Sequence, residues 1–181
     1  SNALTRNTVF YLIVAHKGKR YAGQTTYSPT VPIDTIIQGD QTLFDENDKE
    51  VRVTFTDNTQ QDNFYVFDFD FGEFLTLDDG FFNGQQFEFS YFYEDLDIGQ
   101  QAEISILGAD QQFFNYMDLV LEQTDNNGGV FQTPAATVRG NIFDVTGLDN
   151  ISVLDNSGRP NDFALGYFAV VQEFKQTIII D

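Results

Sequence analysis

The stretch that decides the fold is NFYVFDFDFGEF, Asn63 to Phe74. Counted by twos, Tyr65, Phe67, Phe69 and Phe71 fall on one side and Asp68 and Asp70 on the other. This is the alternation of a strand with one dry and one wet face. Phe64 and Val66 are apolar as well, so the strand is expected to be covered on both sides at its start and wet at its end.

The same period extends outward in both directions. In VRVTFTD, Val51, Val53 and Phe55 share one face while Arg52, Thr54 and Thr56 share the other. In QQFEFSYFYED, Phe87, Phe89, Tyr91 and Tyr93 line up together, and AEISILG supplies another short strand. Near the start, two extended runs flank His16-Lys17-Gly18-Lys19 and read as a hairpin. SPTVPIDTII follows, and its Pro29 and Pro32 disfavour helix and suit an extended crossing segment. Asp79-Gly80 and Asn83-Gly84 mark turns where positive φ is cheap.

One segment departs from the period of two. Phe113, Tyr116, Met117, Val120 and Leu121 recur at helical spacing and predict a single amphipathic α-helix near residues 109–123. Asp110 is placed to cap its start, and Asn126 to Gly129 to end it. GVFQTPAATVRGNI, Gly129 to Ile142, holds no acid, histidine or cysteine. Its Pro134 cannot continue a helix, Ala135 and Ala136 demand little space, and Gly140 permits a sharp turn. ALGYFAVVQEFKQTIII then returns to strand-like sequence.

Seven or so short strands with turns between them predict a mainly β protein. The architecture expected is an antiparallel β-sandwich, immunoglobulin-like or fibronectin-like, with a partly open barrel as the alternative. No repeat or low-complexity linker divides the chain. Residues 1–3, SNA, look like a tag scar, which leaves residues 4–181 as a single sandwich domain.

Composition removes several functions. Of 181 residues, 41% are hydrophobic, including 20 Phe and 8 Tyr but no Trp, so the core must be built largely from phenylalanine. Nine Lys and Arg against 28 Asp and Glu give a net charge of -19, which repels nucleic acid and anionic lipid surfaces. With no cysteine, disulfides, thiolate catalysis and Cys-rich zinc sites are excluded. No apolar run reaches the length of a membrane-spanning helix.

Candidate sites follow from residue type. His16 is the single histidine, and its local sequence supplies neither a nucleophile nor an orienting acid, so it reads as an exposed turn residue. Acidic stretches offer calcium ligands, with Asp45, Asn47 and Asp48 in DENDKE and the pair Asp78 and Asp79 as candidates. DENDKE departs from the helix-loop-helix calcium pattern, because Lys49 and Glu50 stand where a ligand and a glycine are needed. In DNSGRPND, Asp155 to Asp162, the oxygen donors are interrupted by Gly158, Arg159 and Pro160. Paired carboxylates also serve glycoside hydrolysis, but Asp68 and Asp70 read as the wet face of a strand. Phe81 and Phe82 are the ligand-binding candidates, because adjacent phenylalanines in a turn cannot both point inward with ease.

Three segments carry a resemblance. YFYEDLDIGQQAEISILGADQQFFNYMDLVLEQ, then GGVFQTPAATVRGNI, then ALGYF are similar to the C-terminal half of a bacterial domain-of-unknown-function family, number 4249. YSPTVPIDTI resembles that family's extended proline segment. Together they cover most of Tyr27 to Ile180. The stretch Phe143 to Phe163 is longer than the family's usual link. The resemblance implies an outer-membrane lipoprotein of Bacteroidetes, with a lipid-bearing cysteine and another β-rich region before the part seen here.

The expected function is therefore a non-enzymatic binding or assembly domain, cut from a longer surface lipoprotein of the cell envelope. Its expected partner is an outer-membrane transporter or another envelope protein, with membrane attachment only through the missing lipid anchor. A calcium-stabilised adhesion or glycan-binding module, with a glycan or peptide as its ligand, is the second expectation. A carboxylate-based hydrolase is the third.

Overall fold

The computed structural model describes residues 4–43, 45–59, 62–94, 96–125, 137–147 and 164–181. They fall into two compact units. One joins Ser1–Ser28 to Asn115–Val171, and the other joins Pro29–Phe114 to Gln172–Asp181.

The second unit holds seven strands in two antiparallel sheets. One sheet has the order β3 (Ile33–Gln38), β4 (Lys49–Thr56), β7 (Gln86–Tyr93). The other has the order β11 (Glu173–Ile179), β8 (Gln101–Ala109), β5 (Phe64–Asp68), β6 (Phe74–Asp78). The inner faces of both sheets meet in one core, so this unit is the β-sandwich that the period of two predicts. Val51, Val53 and Phe55 of β4 are fully buried and lie against Tyr65 and Phe67 of β5 and Ile104 and Ile106 of β8. Their neighbours Arg52, Thr54 and Thr56 take the opposite face, as the alternation requires.

Rings dominate this core because they fill the space between two sheets with few residues. Phe55 stands edge-on to Tyr65 at 5.1 Å, and Phe69 stacks on Tyr91 at 3.8 Å and 9°. At the start of β5 the second face is dry too. Val66 is buried, and Phe64 packs on Phe114 of α1 (Gln111–Asp125) with ring centroids 5.1 Å apart. Asp110 Oδ1 accepts the Phe113 N–H at 2.8 Å, which is the predicted N-cap. The predicted helix end, at Asn126 to Gly129, lies outside the described residues, as do Pro134 to Ala136 and the Asp155 to Asp162 stretch.

Phe71 corrects the sequence reading. It does not continue the inward row of Tyr65, Phe67 and Phe69 but is 52% exposed. The strand stops at Asp68, and Asp70, Phe71 and Gly72 turn the chain with φ of 66°, 53° and 86°. The side-chain carboxylate of Asp68 accepts the Asp70 N–H, and that of Asp70 accepts the Glu103 N–H. The first bond is local and favours the left-handed turn over two more strand residues, and the second ties that turn to β8.

The first unit is built around β2 (Lys19–Ser28). On one side lies β1 (Val9–His16), antiparallel, joined by a two-residue turn in which Lys17 and Gly18 have φ of 48° and 77°. On the other side lie β9 (Ile142–Asp144), antiparallel, and β10 (Val170–Val171), parallel. That short parallel pairing departs from the otherwise antiparallel arrangement. At Gly140 a Cβ would overlap the Gly166 carbonyl oxygen, so the close approach of the two backbones requires glycine there.

Candidate functional site

The site is the loop between β6 and β7, where Phe81 and Phe82 part company. Phe82 is 6% exposed and packs into the core, stacked on Phe87 at 4.2 Å and edge-on to Phe55 at 5.6 Å. Phe81 is 98% exposed. One ring anchors the loop and its neighbour is thrown outward.

Two buried carboxylates hold the loop beneath Phe81. Asp79 Oδ2 accepts the Asn63 N–H at 2.9 Å, and the Asp79 N–H returns to the Asn63 carbonyl at 3.2 Å. Asp57 Oδ2 accepts the Gly84 N–H at 2.7 Å, and its other oxygen accepts the Tyr65 hydroxyl. Within the loop, the Phe82 N–H bonds to the Asp79 carbonyl at 3.0 Å and the Gln85 N–H to the Phe82 carbonyl at 2.8 Å. Gly84 has φ of 70°, and a Cβ there would overlap the Thr59 methyl, so only glycine fits. Phe81 is therefore presented on a loop whose backbone is tied to its neighbours.

The calcium candidates are engaged by the backbone around them. Asp48 is buried, and its Oδ2 accepts the Leu43 and Asp45 amides, both at 3.0 Å. Asp45 Oδ1 accepts the Asn47 backbone and side-chain N–H groups at 2.9 and 2.8 Å. Asp78 Oδ1 accepts the Gly80 N–H at 2.9 Å, while its neighbour Asp79 turns inward to Asn63. The structure thus keeps Asp45, Asn47 and Asp48 together as a self-bonded loop and separates the roles of Asp78 and Asp79. Among the described residues, no group of three or more His, Cys, Asp or Glu side chains is arranged to hold a metal ion.

Asn47 also lines an open cavity of about 700 Å³ with Lys49, Glu94, Leu96, Asp97 and Ile98. It lies where β4 begins and β7 ends, as the Lys49–Tyr93 pairing fixes. Phe81 follows β6, and the turn that precedes β6 contains Phe71. The two exposed rings therefore sit at opposite ends of that strand. At the cavity's end of the sandwich, burial and then the Glu73 carboxylate raise the hydroxyl pKa values of Tyr91 and Tyr93 above their ordinary value. The Tyr91 hydroxyl donates to Glu73, and that of Tyr93 to the Phe69 carbonyl at 2.7 Å.

Sequence reasoning missed the carboxylates that matter most to architecture. Glu50 is buried, accepting the Ser90 hydroxyl at 2.5 Å and the Gln41 N–H at 3.0 Å. Those bonds hold its pKa below the ordinary carboxyl value. Gly39 makes room for it, since a Cβ there would overlap the Glu50 carboxylate. Asp144 is held low by the Thr146 hydroxyl and amide and then by Lys19, whose ammonium lies 3.3 Å away. The available signal was position. Asp57 and Asp144 each stand at or just past a strand end, where loop amides need acceptors.

Neither a curated protein nor a solved structure matches the chain. The family model described as "Domain of unknown function (DUF4249)" matches residues 3–177, and the chain therefore belongs to the DUF4249 family.

Proposed function

We propose that this chain is a non-enzymatic binding or assembly domain of a cell-envelope lipoprotein, accessory to an outer-membrane transporter. The observation that carries the binding reading is Phe81, 98% exposed on a loop tied down through Asp57 and Asp79. An exposed phenylalanine on a flexible loop loses entropy when a partner orders it, whereas a pre-ordered one has met most of that cost. Aromatic side chains held this way act as anchors that fill a pocket on a partner. The envelope setting rests on the resemblance of the three sequence segments to lipoproteins, and the acidic composition suits a well-solvated surface.

The test is to express the native full-length protein in its own host, extract membranes gently and identify what co-purifies. A transporter in stoichiometric amount, lost when Phe81→Ala is introduced, is the expected result. Recovery of the protein without a transporter removes the accessory role. A native gene that encodes neither a signal peptide nor a lipid-site cysteine removes the envelope setting. Co-purification unaffected by Phe81→Ala shifts the interface away from this loop.

A further inference from the structure

We propose that the β1–β2 hairpin is a second docking surface, which takes up an extended, acid-flanked strand of a partner protein along the outer edge of β1. Different residues carry this inference, and it is independent of the Phe81 loop.

Backbone geometry supplies the first argument. Among the described residues β1 pairs only with β2. The Tyr27 N–H bonds to the Thr8 carbonyl at 3.2 Å, so Thr8 and Tyr27 are a hydrogen-bonded pair of the ladder. Bonded and non-bonded pairs alternate in an antiparallel ladder, so Val9, Tyr11, Ile13 and Ala15 aim their N–H and C=O groups at the outer edge. Their side chains share one face, and there Val9, Tyr11 and Ile13 are 42%, 60% and 61% exposed. Natural edges are usually blunted by charge, proline or a bulge. From Val9 to His16 this strand has none of the three, and its pairing with β2 is unbroken.

Charge identifies the occupant. Residues 4–33 contain four basic side chains, Arg6, Lys17, Lys19 and Arg20, and no acid. Residues 34–181 contain the other five basic residues and all 28 acids. The hairpin is thus an uncharged apolar strand bordered by basic groups, of which Lys19 is paired with Asp144 of β9 and Lys17 and Arg20 border the outer strand, within a strongly acidic chain. A second copy pairing antiparallel through β1 would bring Arg6 of one copy toward the Lys17 turn of the other, like against like. A strand flanked by carboxylates meets the same groups with complementary sign. Main-chain bonding along a free edge, with side-chain contacts setting preference, is how added strands are recognised.

The probe is a synthetic strand of alternating valine and threonine flanked by glutamates, with a lysine-flanked counterpart as control. Titrated into isotope-labelled full chain, the acidic peptide is expected to slow amide exchange at Val9, Tyr11, Ile13 and Ala15 and to bind more weakly as salt rises. The double variant Lys17→Glu with Arg20→Glu is expected to weaken it by at least about tenfold. Ile13→Pro removes an outward N–H at a sheet edge, where proline is tolerated, and is expected to abolish the protection while the exchange pattern of the sandwich persists. Four outcomes overturn the proposal: equal binding of both peptides, no protection, protection that grows with protein concentration alone, or a response only to lipid vesicles.

Discussion

Strands β1 and β7 each have eight residues, each lies at the edge of its sheet and each sets a row of apolar side chains on one face, yet they meet opposite surroundings. Phe87, Phe89, Tyr91 and Tyr93 of β7 close onto the aromatic core of the sandwich. Val9, Tyr11 and Ile13 of β1 stay largely in solvent. Alternation states which residues share a face, but it does not state whether another sheet lies opposite. The difference separates a region that holds the molecule together from a region available to a partner.

The sharpest way to break that contrast is to truncate one residue on each side of it. Phe67 is fully buried among Phe55, Phe69 and Phe89, so Phe67→Ala should cost about 3–5 kcal/mol in denaturant unfolding. Ile13→Ala should stay within about 0.5 kcal/mol. Equal costs would mean that β1 is as structural as the sandwich.

Next in size is the clamp beneath Phe81. Asp57→Ala leaves a buried tyrosine hydroxyl and the Gly84 amide without their acceptor, and should cost about 1–3 kcal/mol for each group left unsatisfied. A double-mutant cycle with Tyr65→Phe should show a coupling above about 0.5 kcal/mol, and additivity would remove the clamp. In the other unit, Gly140→Ala forces a methyl into the Gly166 carbonyl and should cost about 1–3 kcal/mol. Faster amide exchange in β9 and β10, with β4 and β5 unchanged, would place that loss locally.

Acid gives a smaller effect shared by both units. Folding holds Glu50 below its ordinary value of 4.5 and Asp144 below 3.8, so the unfolded chain takes up a proton first. Their contribution is complete above those ordinary values and is lost as pH falls through the lower folded-state ones. Stability should begin to fall below about pH 5, and Glu50→Gln should flatten that fall in the sandwich while leaving the Asp144 region unchanged. The smallest change in stability is expected for Phe81→Ala, within about 0.5 kcal/mol, even though it is the substitution aimed at partner binding. An unfolding curve for this variant that falls with that of Phe67→Ala would make Phe81 a structural residue.

Much of this fold is legible in the alternation of β4, β5 and β7, because a strand buried on one face leaves its period in the sequence. The hairpin turn at Lys17-Gly18 and the Asp110 cap are legible for a similar reason, since each is a local preference. What the sequence conceals depends on distant contacts. Phe71 continues the apolar row by type, but the bond from the Glu103 amide, 33 residues away, to Asp70 holds a turn there instead. Two-residue β10 is too short to carry a period, and its parallel partner is far away in the chain. At the candidate site, the parting of Phe81 from Phe82 is foreseeable from sterics. Which of the two is buried is settled by the ring packing of Phe55 and Phe87, which adjacent residues do not encode.

The order of the chain through the sandwich has its own consequence for biogenesis. Its residues come from Pro29–Phe114 and then from Gln172–Asp181, with the other unit's sequence between them. Until Gln172–Asp181 leave the ribosome, β8 has no β11 beside it, and the bonds between Gln38 and Asp181 cannot form. During synthesis the nascent sandwich therefore carries an open margin for the time taken to translate residues 115–171, and contacts so distant in sequence are the slow ones to form. A ribosome stalled before Gln172 would hold a sheet one strand short, so completion of the sandwich waits on residues 172–181.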